Sequence, residues 1–177
     1  MASISLWLQR GRRLLAHRCR DRRDIHTALS PAALERLAAR VAASEQRHVG
    51  ELRICIEAGL PWSYIQRDAA ARDRALTLFG KLRVWDTEHN NGVLVYLLLA
   101  EHAIELIADR GLNVRASPEQ WVSITTELGN ALANGQAFEE SLNQAVDALT
   151  QILVAHFPRD SAVPKVNQLP DAPVVLI

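Results

Sequence analysis

The side chains best suited to chemistry are gathered in one stretch. Trp85-Asp86-Thr87-Glu88-His89-Asn90-Asn91-Gly92 brings together two carboxylates, an imidazole and two carboxamides. Seven uncharged residues, Val93 to Leu99, follow at once. Clustered carboxylate and carbonyl oxygens suit a hard divalent ion such as calcium or magnesium. His89, if it joined them, would move the preference toward zinc or manganese. Such an ion could neutralise phosphate oxygens and activate water, with Arg110 as charge clamp and His89 as acid or base. The competing expectation is structural: Asp86 and Thr87 cap a turn, Asn90-Asn91 supply left-handed backbone, and Trp85 joins the core.

The elements around this stretch decide what it can meet. Val93 to Leu99, short, aliphatic and preceded by Asn-Gly, reads as a strand buried on both faces. A second strand, Ile104 to Asp109, starts too soon for anything but an antiparallel hairpin turning at Glu101-His102. That geometry carries Asp109 and Arg110 back to the Asp86–Asn91 loop, with Gly92 roughly opposite Gly111. From Gly50 the period is two: Leu52, Ile54 and Ile56 alternate with Glu51, Arg53, Cys55 and Glu57. This predicts a strand with one wetter face, toward a sheet edge, parallel to Val93–Leu99, and places Glu51 on the same rim. Asp86, Glu88 and Asp109 are the expected metal ligands. Glu51, His89, Asn90, Asn91 and Arg110 are the expected ligand-binding residues around them.

Helices fill the remainder. Ser30-Pro31 opens one whose face is Leu34, Leu37, Ala38 and Val41. A second is expected from Ser63 to Leu82, supported by opposite charges such as Asp68 and Arg72. Ser117-Pro118-Glu119-Gln120 has capping-box spacing, and its helix ends at Asn134-Gly135. Phe138 to Leu153 carries the cleanest helical stripe, stopped by Pro158. The order is α-β-α-β-β-α-α: an α/β domain, 29–158, with a small mixed sheet of three or four strands between helices. Residues 159–177 read as a proline-containing tail, extended or mobile, whose apolar ending Pro173 to Ile177 can dock on its own domain or add to a partner's sheet edge.

Twenty basic and twenty acidic residues cancel, but seven arginines fall before residue 25. In the arm 1–28, Ile4, Trp7, Leu8, Gly11 and Leu15 share one helical face and Arg10, Arg12 and Arg13 lie away from it. A basic amphipathic helix of this kind suits an anionic membrane surface. Trp7, Leu8, Arg10, Arg12 and Arg13 are the expected membrane contacts; a solvated arm and a transit peptide remain alternatives. Nucleic acid is not an expected partner, because aromatic residues do not interleave with the arginines beyond Trp7. Two isolated cysteines, Cys19 and Cys55, make neither a disulfide framework nor a zinc site, and His17 with Cys19 is too sparse for a metal clip. No stretch reaches the apolar length of a membrane span, and no P-loop, dinucleotide fingerprint or serine-hydrolase elbow is present.

Several of these features occur together in one family. The Glu-Leu-Arg-Ile-Cys-Ile strand after a glycine, Asn91-Gly92-Val93-Leu94-Val95, the hairpin, and Ile107-Ala108-Asp109-Arg110-Gly111-Leu112 before two closing helices resemble the TPM domain over Leu29–Pro158. The resemblance implies an α/β sandwich, divalent-ion binding, acid phosphatase activity, and roles in assembling, repairing or modulating membrane complexes. The sequence differs in showing no export signal, C-terminal membrane helix or Gly-rich tail, like a short bacterial variant of cytoplasmic location, peripheral to the inner membrane face. The expected function is a non-enzymatic accessory module with a divalent-ion site. The alternative is a metal-dependent phosphatase using the Asp86–Asn91 loop.

Overall fold

The computed structural model describes His17 and residues 29–177 apart from Ser161 and Val163. The expected membrane contacts Trp7, Leu8, Arg10, Arg12 and Arg13 lie outside the described residues. Within them, α1 (Pro31–Glu45) begins where the Ser30 hydroxyl accepts from the Ala33 amide at 3.2 Å. It is followed by β1 (Glu51–Glu57), α2 (Trp62–Gln66), α3 (Ala71–Lys81) and β2 (Gly92–Leu98). A single 3-10 turn, Leu99–Glu101, leads into β3 (Ala103–Ala108). Then come α4 (Arg110–Asn113), α5 (Pro118–Ala133), α6 (Phe138–His156) and β4 (Val174–Leu176).

The sheet order is β3-β2-β1-β4. β1 runs parallel to β2, with Glu51 opposite Gly92, and parallel to β4, with Cys55 opposite Val174. β2 and β3 form the antiparallel hairpin, Val93 opposite Ala108. Leu52, Ile54, Ile56, Val93, Val95 and Leu97 bury themselves against α1, α5 and α6. On the other face Cys55, Leu94, Tyr96 and Leu98 pack with residues of α2 and α3 and with Leu169. The mixed α/β sandwich expected from the periodicity is the fold observed.

Three local expectations are corrected. β1 is an inner strand buried throughout, not an edge strand with a wet face. Alternation was a misleading guide because each polar side chain of β1 finds a partner elsewhere in the fold. Glu57 accepts from Arg74 Nη2 at 2.6 Å and from the Tyr96 hydroxyl at 2.6 Å. Arg53 donates to the Pro170 and Ala172 carbonyls, and Glu51 Oε2 accepts from the Leu169 amide at 3.2 Å. Next, the helix expected over 63–82 is two helices. Asp68 takes left-handed backbone, φ +55°, which an aspartate tolerates better than most residues and which ends the first helix. Asp73 Oδ2 then accepts from the Ala70 amide at 3.0 Å and opens the second. Asp68 and Arg72 therefore do not share one helix, and Arg72 pairs with Glu105 at 3.1 Å. Finally, the hairpin register puts Asp109 opposite Gly92, because the Asp109 amide donates to the Gly92 carbonyl at 2.9 Å.

The apolar ending of the chain docks on its own domain, as β4. The Ala58 amide donates to the Leu176 carbonyl at 3.0 Å and continues that pairing.

The Glu57–Arg74 pair offers a direct test of these contacts. Removing one partner strands a buried charge, whereas removing both replaces the pair with packing. Arg74→Met is expected to lower unfolding free energy by about 3–5 kcal/mol in urea denaturation. Adding Glu57→Gln to it should recover a substantial part of that loss.

Candidate functional site

The rim at the start of β2 is built by tight turns. The Asn90 amide donates to the Thr87 carbonyl at 3.1 Å, and the Asn91 amide to the Thr87 hydroxyl at 3.0 Å. Asn90 has left-handed backbone, φ +51°, as its residue type suggests. Asn91 is buried and its side-chain amide donates to the Val49 carbonyl at 3.1 Å, tying the loop to the start of β1. A Cβ at Gly92 would lie 2.0 Å from the Val84 carbonyl oxygen. Only glycine permits this approach, so the chain before the loop is pressed directly onto β2.

Asp109 and Arg110 do reach this loop. Arg110 Nε donates to Asn90 Oδ1 at 3.0 Å, and the Gly111 amide donates to the Asn90 carbonyl at 2.9 Å. A Cβ at Gly111 would meet the His89 and Asn90 carbonyl oxygens at 2.5 and 2.6 Å. Asp109 Oδ1 accepts from the Arg110 amide at 2.7 Å and caps α4. Its other oxygen, Oδ2, is buried without a hydrogen-bond partner. A carboxylate oxygen in that state loses its hydration and gains nothing in return, which makes it the atom at the rim best fitted to meet a cation.

The other expected ligands are arranged differently. Asp86 is exposed and pairs with Arg83 three residues earlier. Glu88 and His89 are exposed as well, and the Glu88 amide donates to the Gln168 side chain at 2.8 Å. Trp85 is half-exposed and its indole donates to the Gly80 carbonyl at 3.3 Å, so it does not belong to the core. Glu51 lies on the expected rim, one strand from Gly92, but it is turned to Leu169 and Lys165. Among the described residues, no three or more His, Cys, Asp or Glu side chains converge as a metal cluster.

A second polar group beside the rim was not anticipated as a unit. The Lys165 ammonium lies 2.9 Å from Glu45 Oε2, 3.1 Å from Glu51 Oε1 and 3.0 Å from the Gly50 carbonyl oxygen. Glu45 Oε1 also accepts from the Leu52 amide at 2.7 Å. Burial, reinforced by the charge of Glu51, pushes the Glu45 carboxyl up to about 7 against the opposing Leu52 amide and Lys165. Next to it, His48 Nδ1 bonds the Gly50 carbonyl at 3.1 Å, and its Nε2 faces the Ser44 hydroxyl at 3.0 Å. Nδ1 must carry the proton to donate to a carbonyl, so Nε2 accepts from Ser44. Thr150 Oγ1, 2.6 Å from the Ser44 oxygen, closes the network. Burial and the nearby Lys165 and Arg47 charges lower His48 to about 4. A hydroxyl–imidazole pair resembles a nucleophile and base. Here both residues are buried and the third member is a carbonyl, which makes it a core network. Spacing alone could have suggested only Ser44–His48, four apart on a helix end; Lys165 is 114 residues or more from its partners.

At the other end of β2 an apolar cleft of about 640 Å³ is lined by Leu97, Leu99, Ile104, Leu132 and Phe138, with His102 at its edge. Near the same end of the sheet, buried His17 is held by two bonds. Its Nδ1 accepts from the Leu60 amide at 3.0 Å, so Nε2 donates to Glu101 at 2.8 Å.

His48 and Glu45 give opposite pH dependences. The folded His48 resists protonation, so the unfolded chain binds the extra proton between its ordinary 6.5 and about 4, and stability falls as pH drops through that window. The folded Glu45 holds its proton from its ordinary 4.5 up to about 7, so stability falls as pH rises through that window. Each effect is on the order of 3 kcal/mol, and in the intact chain they largely cancel between pH 4.5 and 6.5. Separating them should reveal both slopes in denaturation midpoints. Glu45→Gln is expected to become more stable from pH 4 to 6.5, and His48→Gln less stable from pH 4.5 to 7.

The model of the TPM domain family matches residues 23–152. No curated protein matches the chain. Among solved structures, it is similar to the NMR structure of the BA42 protein from the psychrophilic bacterium Bizionia argentinensis. The TM-score is 0.72 at 20% identity, over 83% of this chain and 94% of that one. At that identity the likeness concerns the fold.

Proposed function

Because the chain belongs to the TPM domain family, we propose that it is a non-enzymatic binding or accessory module with a divalent-ion site at the rim. The observation that carries this reading is the buried, unpartnered Asp109 Oδ2 beside the Asn90–Arg110 contact. Asp109 anchors calcium, magnesium or manganese, Asn90 offers a neutral oxygen, and Asp86 and Glu88 add charge from the exposed part of the loop. His89 and Arg110 stand beside them as the groups that would meet an anionic partner. The rim and the apolar cleft occupy opposite ends of β2, which suits a module that binds more than one thing.

The basic arm gives this module its second contact. Residues 1–24 hold it at an anionic membrane surface or a membrane protein, peripheral to the cytoplasmic face. No helix among the described residues is long and apolar enough to cross a membrane.

Thermal melting with added CaCl2, MgCl2 or MnCl2 tests the rim. An ion that binds only the folded chain raises the melting temperature, and Asp109→Asn should abolish the rise. No shift with any ion would remove the rim site. Turnover of p-nitrophenyl phosphate that depends on Asp109 would overturn the accessory reading in favour of a phosphatase. Flotation with phosphatidylserine vesicles tests the arm: the full chain should float, and a chain lacking residues 1–24 should not. Equal flotation by both would sink the membrane contact.

A further inference from the structure

The N-terminal arm is fastened to the domain beside the apolar cleft. His17 is the fastening point: its ring is buried, Nδ1 accepts from the Leu60 amide at 3.0 Å and Nε2 donates to Glu101 at 2.8 Å. A Cβ at Gly59 would stand 2.7 Å from the His17 carbonyl oxygen, so the turn after β1 carries a glycine where the arm crosses it. Glu101 is followed directly by His102, Ala103 and Ile104, all of which line the cleft. Residues 1–16 are thus tethered at its edge. The cleft itself is suited to an apolar occupant, because Leu99, Ile104, Leu132 and Phe138 are only partly buried around it. Its volume of about 640 Å³ falls within the roughly 300–1,000 Å³ of ligand pockets. Gly129 keeps the α5 side open, since a Cβ there would meet only Ile104 Cδ1, at 3.9 Å. Carboxylates border the lining in the chain: Glu101 precedes His102, and Glu139 and Glu140 follow Phe138.

We infer that the arm of this same chain docks in the cleft, seating Trp7 and Leu8 against Ile104 and Leu132. Ile4, Trp7, Leu8 and Gly11 have the i, i+3, i+4, i+7 spacing with which a helix fills an apolar groove. From Trp7 to His17 is ten residues, a span of roughly 15 Å as a helix and about twice that when extended. Either length reaches a cleft that begins next to Glu101. The tether also makes docking intramolecular, at an effective concentration on the order of millimolar, so a modest contact keeps the cleft covered. Arg10, Arg12 and Arg13, which lie away from the apolar face, suit the acidic border. Trp7 and Leu8 are also the proposed membrane contacts, so an arm drawn to a membrane leaves the cleft open to another occupant. Docking in solution does not depend on that membrane reading.

Methyl NMR of the full-length chain without lipid tests the contact apart from any membrane. NOEs are expected between the Trp7 indole and the methyls of Ile104 or Leu132. Trp7→Ser with Leu8→Ser should erase them and shift the methyl resonances of Leu99, Ile104 and Leu132. Gly129→Leu fills the cleft from a helical position with room for a side chain. It should also erase the NOEs, and should raise severalfold the broadening of the Trp7 indole by a soluble gadolinium chelate. Cleft methyls that keep their resonances in the Trp7→Ser, Leu8→Ser protein would leave the cleft to an outside partner and overturn the proposal. So would NOEs that arise only between differently labelled copies in a mixed sample, which would seat a second copy's arm there. The substitutions at Trp7 and Leu8 lie outside the folded domain, so this comparison stands even if Gly129→Leu does not fold.

Discussion

The fold depends on finding a partner for each polar side chain of β1. An inner strand in a mixed sheet has no face left for water, yet this one carries Glu51, Arg53 and Glu57. Burying a charge without a partner costs far more than burying a methylene gains. The structure meets this constraint from three directions. α3 supplies Arg74, β2 supplies Tyr96, and the C-terminal segment supplies Lys165, the Leu169 amide and the carbonyls of Pro170 and Ala172. The charges of one strand thereby specify which elements must lie beside it, a role that apolar side chains, being non-directional, fill less well.

The same constraint explains what could be read from the sequence. The apolar stripes of α5 and α6, the hairpin and the caps at Ser30 and Ser117 are local patterns, and they appear where periodicity and spacing put them. The approach of Asp109 and Arg110 to the Asn90 loop was legible too, because a hairpin leaves few alternatives. The environment of β1 was not. Glu-Leu-Arg-Ile-Cys-Ile-Glu is the pattern of a half-wet strand, and partners distant in sequence turn it into a buried one: Arg74 and Tyr96 for Glu57, and residues more than a hundred positions away for Glu51 and Arg53. The break at Asp68 was hidden similarly, since a left-handed aspartate leaves the helical charge pattern around it unchanged.

At the site, sequence indicated the place better than the membership. Asp86, Glu88 and Asp109 share a neighbourhood in chain topology, but exposure separates the first two from the buried third. The polar group of Glu45, Gly50 and Glu51 includes a residue the rim argument had reached, and was missed because its fourth member, Lys165, comes from the tail. A lone lysine among prolines carries no periodic signal. Its meaning comes entirely from where the chain returns.

That return has a consequence for how the protein comes into being. β4 pairs Val174 with Cys55, so the sheet contains a contact spanning about two thirds of the chain. During synthesis, α1, β1, β2 and β3 emerge long before the residues that neutralise Glu51 and accept from Arg53. Contacts of such long sequence separation form late, after the entropy of closing the loop has been met. Until then one edge of β1 is open, with Glu51 and Arg53 still wet. The nascent domain is thus held short of its final burial by its own charges, and it is the much later segment around Lys165 to Leu176 that lets the strand go dry.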